Sequence, residues 1–154
     1  MAVDPQFEAR LSQFIDRQFP GSSVGAVDQL TSGASQQTFR VRTRSRDGVQ
    51  RDYALRRAQP GLVASSQGQL STSAEVALLR LAQSASVPVP NVICELEPRH
   101  DLGEGYLMEW LEGETLGHRI VKLPELAEMR ATLAYECGQT LAKIHALPVP
   151  HSLR

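Results

Sequence analysis

Apolar and polar residues alternate from Thr38 to Arg44, and this period of two restricts the fold of the chain more than any other feature. Side chains at every second position of a strand point to the same face, which here receives Phe39, Val41 and Thr43. The dipeptide Asp47-Gly48 follows and favours a tight turn, and Tyr53–Arg56 then resumes an apolar pattern. The segment predicts an antiparallel hairpin, so the chain must build a sheet.

A short amphipathic helix is predicted before this hairpin. Asp4 followed by Pro5 is typical of an N-cap with proline at the first helical position. Apolar residues then recur at helical spacing until Pro20-Gly21. The period changes to two around Val27–Leu30, which predicts a further strand joined to the hairpin through a turn of small residues.

The residues after the hairpin predict one helix and two more strands. Leu62–Ser73 is rich in Ser, Gln and Gly, which indicates a loop. Thr72 and Glu75 fit a T-x-x-E capping box at the start of a helix. Val92–Cys94 and Tyr106–Leu111 are short apolar segments typical of strands. The expected fold class is therefore α+β, with a five-stranded antiparallel sheet and one intervening helix.

A long amphipathic helix is predicted from Pro124 to His145, where apolar residues recur at helical spacing. Its apolar stripe is too wide for one side of a small sheet, so we expect it to belong to a second body. The expected organisation is a lead-in helix in residues 1–22, a sheet-containing lobe in 23–112, and a connector with the first helix of an incomplete second lobe in 113–154.

Charge and cysteine content exclude several classes of protein. Sixteen basic and seventeen acidic residues give a net charge of −1, so no global field attracts nucleic acid or an anionic membrane. No stretch approaches the roughly 20 apolar residues of a membrane span. Cys94 and Cys137 lie far apart without metal-ligand spacing, which is typical of reduced thiols. We expect a cytoplasmic protein.

Several ordered segments resemble one family. They are Leu30–Val41, Tyr53–Arg57, Glu75 within its helix, Tyr106–Glu114 and Leu141–Leu147. In order and spacing the chain is similar to the aminoglycoside phosphotransferase or choline kinase-like family, especially the branch associated with acyl-CoA dehydrogenases. The resemblance implies a protein-kinase-like amino-terminal lobe, then a hinge and one long helix of an incomplete second lobe.

The resemblance assigns Ser32, Gly33, Ala34 and Ser35 to the loop that contacts nucleotide phosphates. Small side chains let backbone N–H groups approach an anion closely, which suits this role. The loop contains neither G-x-G-x-x-G nor G-x-x-x-x-G-K. On these residues alone, an ordinary hairpin turn is the alternative.

Arg56 stands where the strand motif V-A-I-K of protein kinases carries its phosphate-binding lysine. The resemblance implies that Arg56 contacts phosphate and that Glu75 pairs with it. The alternatives are a solvated arginine and a glutamate that only completes the capping box. Arg57 points to the opposite face of the strand, where we expect it to be exposed to solvent.

In the segment Met108–Leu111 the resemblance implies a hinge. Met108 would line the adenine pocket, while the backbone C=O of Glu109 and N–H of Leu111 would meet the adenine edge. Backbone contacts tolerate most side chains, so a half-buried edge strand is the alternative.

The cofactor implied by the resemblance is ATP or GTP with Mg²⁺, and the acceptor is a hydroxyl on a small molecule. Such a reaction needs a catalytic Asp, an Asn five residues later and a second metal-binding Asp. The one asparagine is Asn91, preceded five residues earlier by Ser86. We expect the catalytic segment and metal ligands after His151, and therefore no catalysis by the isolated chain.

Two other functions stay open. The chain could be a non-catalytic module that binds nucleotide or a partner, with an oligomer formed through the exposed face of the 124–146 helix. Alternatively, Arg40, Arg42 and Arg44 share one strand face and could bind nucleic acid, although no aromatic residues interleave and acidic residues balance the charge. For this stripe a solvated hairpin face is the favoured interpretation.

Overall fold

The computed structural model describes residues 3–30, 36–59 and 70–150. Four α-helices and five strands lie in these ranges: α1 (Pro5–Gln18), β1 (Ser23–Gln29), β2 (Gln36–Arg44), β3 (Gln50–Ala58), α2 (Thr72–Ser84), β4 (Val92–Glu95), β5 (Gly105–Glu109), α3 (Gly117–Lys122) and α4 (Ala127–His145). Short 3₁₀ turns cover Pro98–His100 and Pro124–Leu126. Among these helices, none is both long and apolar enough to cross a membrane.

The five strands form one antiparallel sheet in the order β1-β2-β3-β5-β4, which confirms the predicted α+β class. Phe39 lies opposite Leu55, and Leu55 lies opposite Leu107, so one row of buried apolar side chains crosses the sheet. The β2–β3 hairpin turns at the predicted Asp47-Gly48, where Gly48 has φ +80° and its N–H donates to Ser45 O at 3.0 Å. Glycine adopts this left-handed conformation without steric strain.

Helix α1 covers one face of the sheet, which we call the α1 face. Asp4 caps the helix as predicted, because its carboxylate accepts from the N–H of Gln6 at 3.0 Å and Pro5 is the first helical residue. Apolar side chains of the helix and sheet then form one buried core: Phe7, Leu11, Phe14, Ile15, Phe39, Val41, Tyr53, Leu55, Leu102 and Leu107. Burying each large apolar side chain stabilises the fold by about 1.5–3 kcal/mol.

Helix α2 packs on the opposite face of the sheet, the α2 face, through a smaller cluster of Val76, Val92 and Tyr106. The predicted capping box is wrong, because the N-cap is Ser71. Its hydroxyl accepts from the N–H of Ala74 at 3.2 Å, and its carbonyl accepts from the N–H of Glu75 at 3.0 Å. Because Ser71 supplies the N-cap hydrogen bond to the first turn of α2, the Glu75 carboxylate is available for another partner.

The predicted long helix begins with the 3₁₀ turn and continues as α4, and the short helix α3 precedes it. Arg130 joins these elements, since its Nη1 donates to the carbonyl oxygens of Ile120 at 3.0 Å and Leu123 at 2.7 Å. No residue of α4 is buried, and Tyr135, Leu141 and Ile144 are exposed. The assignment of this helix to a second body, with the residue boundaries given above, remains a prediction.

Candidate functional site

The predicted phosphate loop, Ser32 to Ser35, lies outside the described residues. The candidate site is therefore built from the α2 face of the sheet, where side chains of β2, β3 and β5 with even residue numbers come together. In the strand register, Thr38 lies opposite Arg56 and Arg56 opposite Tyr106, while Arg40 lies opposite Ala54 and Ala54 opposite Met108.

Arg56 and Glu75 form the ion pair that the sequence predicted, with 3.0 Å between Arg56 Nη2 and Glu75 Oε1. Gln36 joins both groups. Its Oε1 accepts from Arg56 Nε, and its Nε2 donates to Glu75 Oε2 at 3.3 Å. The three side chains form a closed triangle that fixes the guanidinium from two sides.

Solvent still reaches this triangle, since the side chain of Arg56 is 39% exposed and that of Glu75 is 23% exposed. Gln36 and Glu75 use two nitrogens of the guanidinium, and a guanidinium carries five N–H donors. Donors therefore remain for an anion. A phosphate group fits this arrangement, because guanidinium can bind it bidentately and keeps its charge.

Tyr106 forms the buried floor next to the ion pair. It is buried and packs with Val76 and Val92. Burial raises the pKa of its hydroxyl to about 12, and the nearby negative charge of Glu75 acts in the same direction. Tyr106 is therefore a neutral packing residue at neutral pH.

Arg57 corrects a prediction, because it is half-buried on the α1 face instead of exposed. Its guanidinium lies 4.0 Å from the centroid of the Phe7 ring and donates to Gln37 Oε1 at 2.9 Å and Leu102 O at 3.1 Å. Burial lowers the pKa of Arg57 from its ordinary value. The expectation was wrong because α1 covers this face of the strand.

Gln36 is a site residue that sequence reasoning missed. Gln36 and Gln37 alternate between the two faces of β2, and each accepts a hydrogen bond from the arginine on its own face of β3. Gln37 lies directly opposite Arg57, whereas Gln36 lies opposite Ala58 and reaches Arg56 diagonally, so the sequence itself shows only two adjacent glutamines and two adjacent arginines. The strand register is needed to interpret it.

The predicted hinge residues lie where β5 leaves the sheet. Met108 is partly buried and packs against the cluster of Val76, Val92 and Tyr106. The N–H of Glu109 donates to Asn91 O at 2.9 Å, which ends the strand pairing. Leu111 lies beyond the strand with 58% of its surface exposed. Met108 therefore lies next to Tyr106, the residue opposite Arg56 in the sheet. The contacts of Met108, Glu109 and Leu111 with adenine remain predictions.

A second charged cluster surrounds Arg40 on the α2 face. Arg40 Nε donates to Asp52 Oδ2 at 2.7 Å, Nη2 donates to Glu112 Oε1 at 2.9 Å, and the guanidinium lies 4.5 Å from the centroid of the Trp110 ring. The hydrogen bond to Asp52 raises the pKa of Arg40. Arg42 Nη2 similarly lies 2.7 Å from Asp28 Oδ2. Two of the three stripe arginines are thus held by carboxylates.

A cavity of about 220 Å³ lies at the far end of the hairpin, lined by Phe19, Ser22, Thr43, Ser45, Asp47, Val49, Arg51 and Tyr53. Thr43 and Tyr53 belong to the α1 face, opposite the side chain of Arg56, so this cavity is not part of the candidate site. In the described ranges, no three His, Cys, Asp or Glu side chains are grouped to hold a metal ion.

Comparison with known proteins identifies one family. No curated protein matches the chain significantly. The model of the phosphotransferase enzyme family, APH, matches residues 26–153, a span that includes the whole sheet from β2 onward, the Arg56–Glu75 pair and α4. Because this match covers well over half of the chain, the chain belongs to the phosphotransferase enzyme family.

Proposed function

We propose that this chain is the nucleotide-binding part of a cytoplasmic small-molecule kinase, which transfers the γ-phosphoryl group of ATP or GTP to a hydroxyl. One observation carries the proposal: Arg56 is held on the α2 face by Glu75 and Gln36 and keeps free donors. Family membership supports phosphoryl transfer as the general reaction.

Arg56 would bind nucleotide phosphates, and Glu75 would hold its guanidinium in a fixed direction. Phosphoryl transfer depends almost entirely on positioning and charge stabilisation, so a preorganised cation is useful there. Arginine differs from the usual lysine in that its planar fork can contact two phosphate oxygens at once. Gln36 adds to this role by restricting the rotation of Arg56.

The purine would lie against the row that contains Ala54 and Met108, next to the backbone of Glu109 and Leu111. Mg²⁺, when bound, would supply positive charge that neutralises the charge developing on the transferred phosphoryl group. We propose that its ligands and the acceptor site lie outside the described residues. Ser32 to Ser35 would supply backbone N–H groups to the phosphates.

Titration calorimetry with Mg²⁺·ATP and Mg²⁺·GTP tests the proposal. Arg56→Ala should weaken binding about tenfold or more, because a charged hydrogen bond contributes about 1.5–3 kcal/mol. Arg51→Ala is the matched control, because Arg51 is an exposed arginine of the same strand that forms no part of the site.

The outcomes separate clearly. Nucleotide binding that depends on Arg56 and is unaffected by Arg51→Ala supports the proposal. Absence of binding by the unaltered protein would overturn it, and so would equal affinities of the unaltered protein and Arg56→Ala.

The exposed apolar side chains of α4 favour a second function, contact with another protein surface. Under that proposal the protein associates through Leu126, Leu133 and Leu141, and size-exclusion chromatography should show an oligomer. A stable monomer would argue against it. Nucleic-acid binding through the arginine stripe is less favoured, because Arg40 and Arg42 already have carboxylate partners; lack of RNA affinity at low salt would remove it.

A further inference from the structure

The cluster around Arg40 joins two parts of the chain that lie far apart in sequence. Arg40 belongs to β2, whereas Trp110 and Glu112 follow the last residue of β5. Besides its own contacts with Arg40, Glu112 accepts from the indole Nε1 of Trp110 at 2.8 Å. Asp52 on β3 completes the cluster, so one guanidinium spans from the second strand across the third to the segment that leaves the sheet.

Leu111 lies between the two residues that the cluster holds. Glu109 is the last residue that pairs with the sheet, so strand pairing does not fix the peptide of Leu111. In the part of the chain that the structure describes, no backbone carbonyl accepts from the Leu111 N–H. The orientation of this peptide therefore depends on the side-chain contacts of its two neighbours.

We propose that Arg40 is a positioning residue for the nucleotide, which holds the Trp110–Glu112 segment so that the Leu111 N–H faces the purine. The inference rests on the proposed function. Arg40, Ala54 and Met108 lie side by side on neighbouring strands, so Arg40 lies beside the surface proposed for the purine. It acts through the backbone and does not need to touch the phosphates.

The magnitude follows from the exposure of the contacts. Glu112 is 75% exposed and Arg40 27% exposed, so the ion pair is screened by solvent and its loss has a moderate effect. Arg40→Met should weaken nucleotide binding about three- to tenfold. Arg40→Lys should restore part of this loss, because an ammonium group can still pair with the two carboxylates and lie over the indole.

The control is Arg42→Met. Arg42 lies two residues along the same strand on the same face and pairs with Asp28 at 2.7 Å, away from the hinge segment. The substitution removes the same charge and none of the contacts that join Arg40, Trp110 and Glu112. Its nucleotide affinity should equal that of the unaltered protein.

Trp110 provides the readout, because it is the single tryptophan of the chain. Calorimetry and tryptophan fluorescence are measured on the unaltered protein and on each variant while Mg²⁺·ATP or Mg²⁺·GTP is added. We expect nucleotide to change the Trp110 emission in the unaltered protein and in Arg42→Met, and to change it less in Arg40→Met. Glu112→Ala removes the exposed carboxylate of the cluster and should also weaken nucleotide binding. This variant tests the positioning role of Arg40 if Arg40→Met does not fold.

Two failures are distinguishable. If the unaltered protein binds nucleotide and Arg40→Met and Glu112→Ala bind it equally well, the positioning role of Arg40 is overturned while the proposed function stands. If the unaltered protein binds neither nucleotide, the proposed function is overturned and the role of Arg40 with it. A loss in Arg42→Met equal to that in Arg40→Met would also overturn the inference, because it would show an effect of charge alone.

Discussion

Gly105 lies in β5 directly opposite Arg57 of β3, and the two strands approach each other closely there. A Cβ atom at position 105 would lie 2.4 Å from the carbonyl oxygen of Arg56 and 2.8 Å from Arg57 Cβ. Neither atom can rotate away, because one belongs to the backbone and the other is fixed by it. Gly105→Ala must therefore move β5 away from the strand that carries the candidate phosphate ligand.

The expected loss follows from opposing effects. Forcing a methyl group into a well-packed contact typically destabilises a protein by about 1–3 kcal/mol. Replacing glycine also restricts the conformations of the unfolded chain, which stabilises the folded protein by about 0.4–1 kcal/mol. A contact of 2.4 Å with backbone lies at the severe end of the range for such packing contacts, so we expect a net loss of about 2 kcal/mol. For a chain of this length the melting temperature would fall by about 2–4 °C per kcal/mol.

Urea denaturation followed by circular dichroism measures the effect. Gly138→Ala is the matched control, because Gly138 lies within α4 and a Cβ there would meet no atom within 4 Å. Alanine in an exposed helix should stabilise by about 0.5–1 kcal/mol. The two identical substitutions should thus have opposite signs. A Gly105→Ala variant as stable as the unaltered protein would refute the argument from close strand approach.

Three further predictions concern ionisable groups. Glu75→Gln should destabilise the folded protein by about 0.5–1 kcal/mol in urea denaturation and weaken nucleotide binding, because it removes the charge that holds the partly exposed Arg56. Unchanged stability and nucleotide affinity would contradict that role. Burial raises the pKa of Tyr106 from 10.0 to about 12, so the folded state holds this proton more tightly and its contribution to stability is lost as pH rises from 10 to 12. Denaturation at several pH values should show this loss, and Tyr106→Phe should reduce it. Burial likewise raises the pKa of Cys94 to about 11, so a thiol reagent at pH 8 should label the exposed Cys137 first, and a Cys137→Ser variant that still reacts rapidly would contradict this.

Local patterns in the sequence were sufficient for the sheet, and the family resemblance was sufficient for the Arg56–Glu75 ion pair. The alternation around Phe39 and the Asp47-Gly48 dipeptide specify a hairpin through contacts between near neighbours in sequence. Arg56 and Glu75 were paired through their position in a family pattern, and the structure confirms the contact. Its proposed role with nucleotide stays a prediction.

Contacts that depend on tertiary packing could not be predicted. Ser71 and Thr72 are both good helix caps, and only the start of α2 decides between them. Arg57 was expected to be exposed because its sequence neighbourhood does not reveal that α1 covers it. The contact of Arg40 with Glu112 joins β2 to the segment that follows β5, so it requires the order of strands in the sheet.

Gln36 and Gln37 lie on alternate faces of β2 and bond Arg56 and Arg57 on the matching faces of β3, which has a consequence for the fidelity of folding. A slip of one residue would exchange the two arginines and still give each a glutamine partner, so the polar residues alone tolerate the wrong pairing. The slip would also turn Tyr53 and Leu55 of β3 out of the α1 core, where both are buried. The apolar α1 face of the sheet therefore selects the register that places the charged side chains of the α2 face. As a result, substitutions in the α1 core, far from any ligand, can misplace Arg56, on which phosphate binding is proposed to depend.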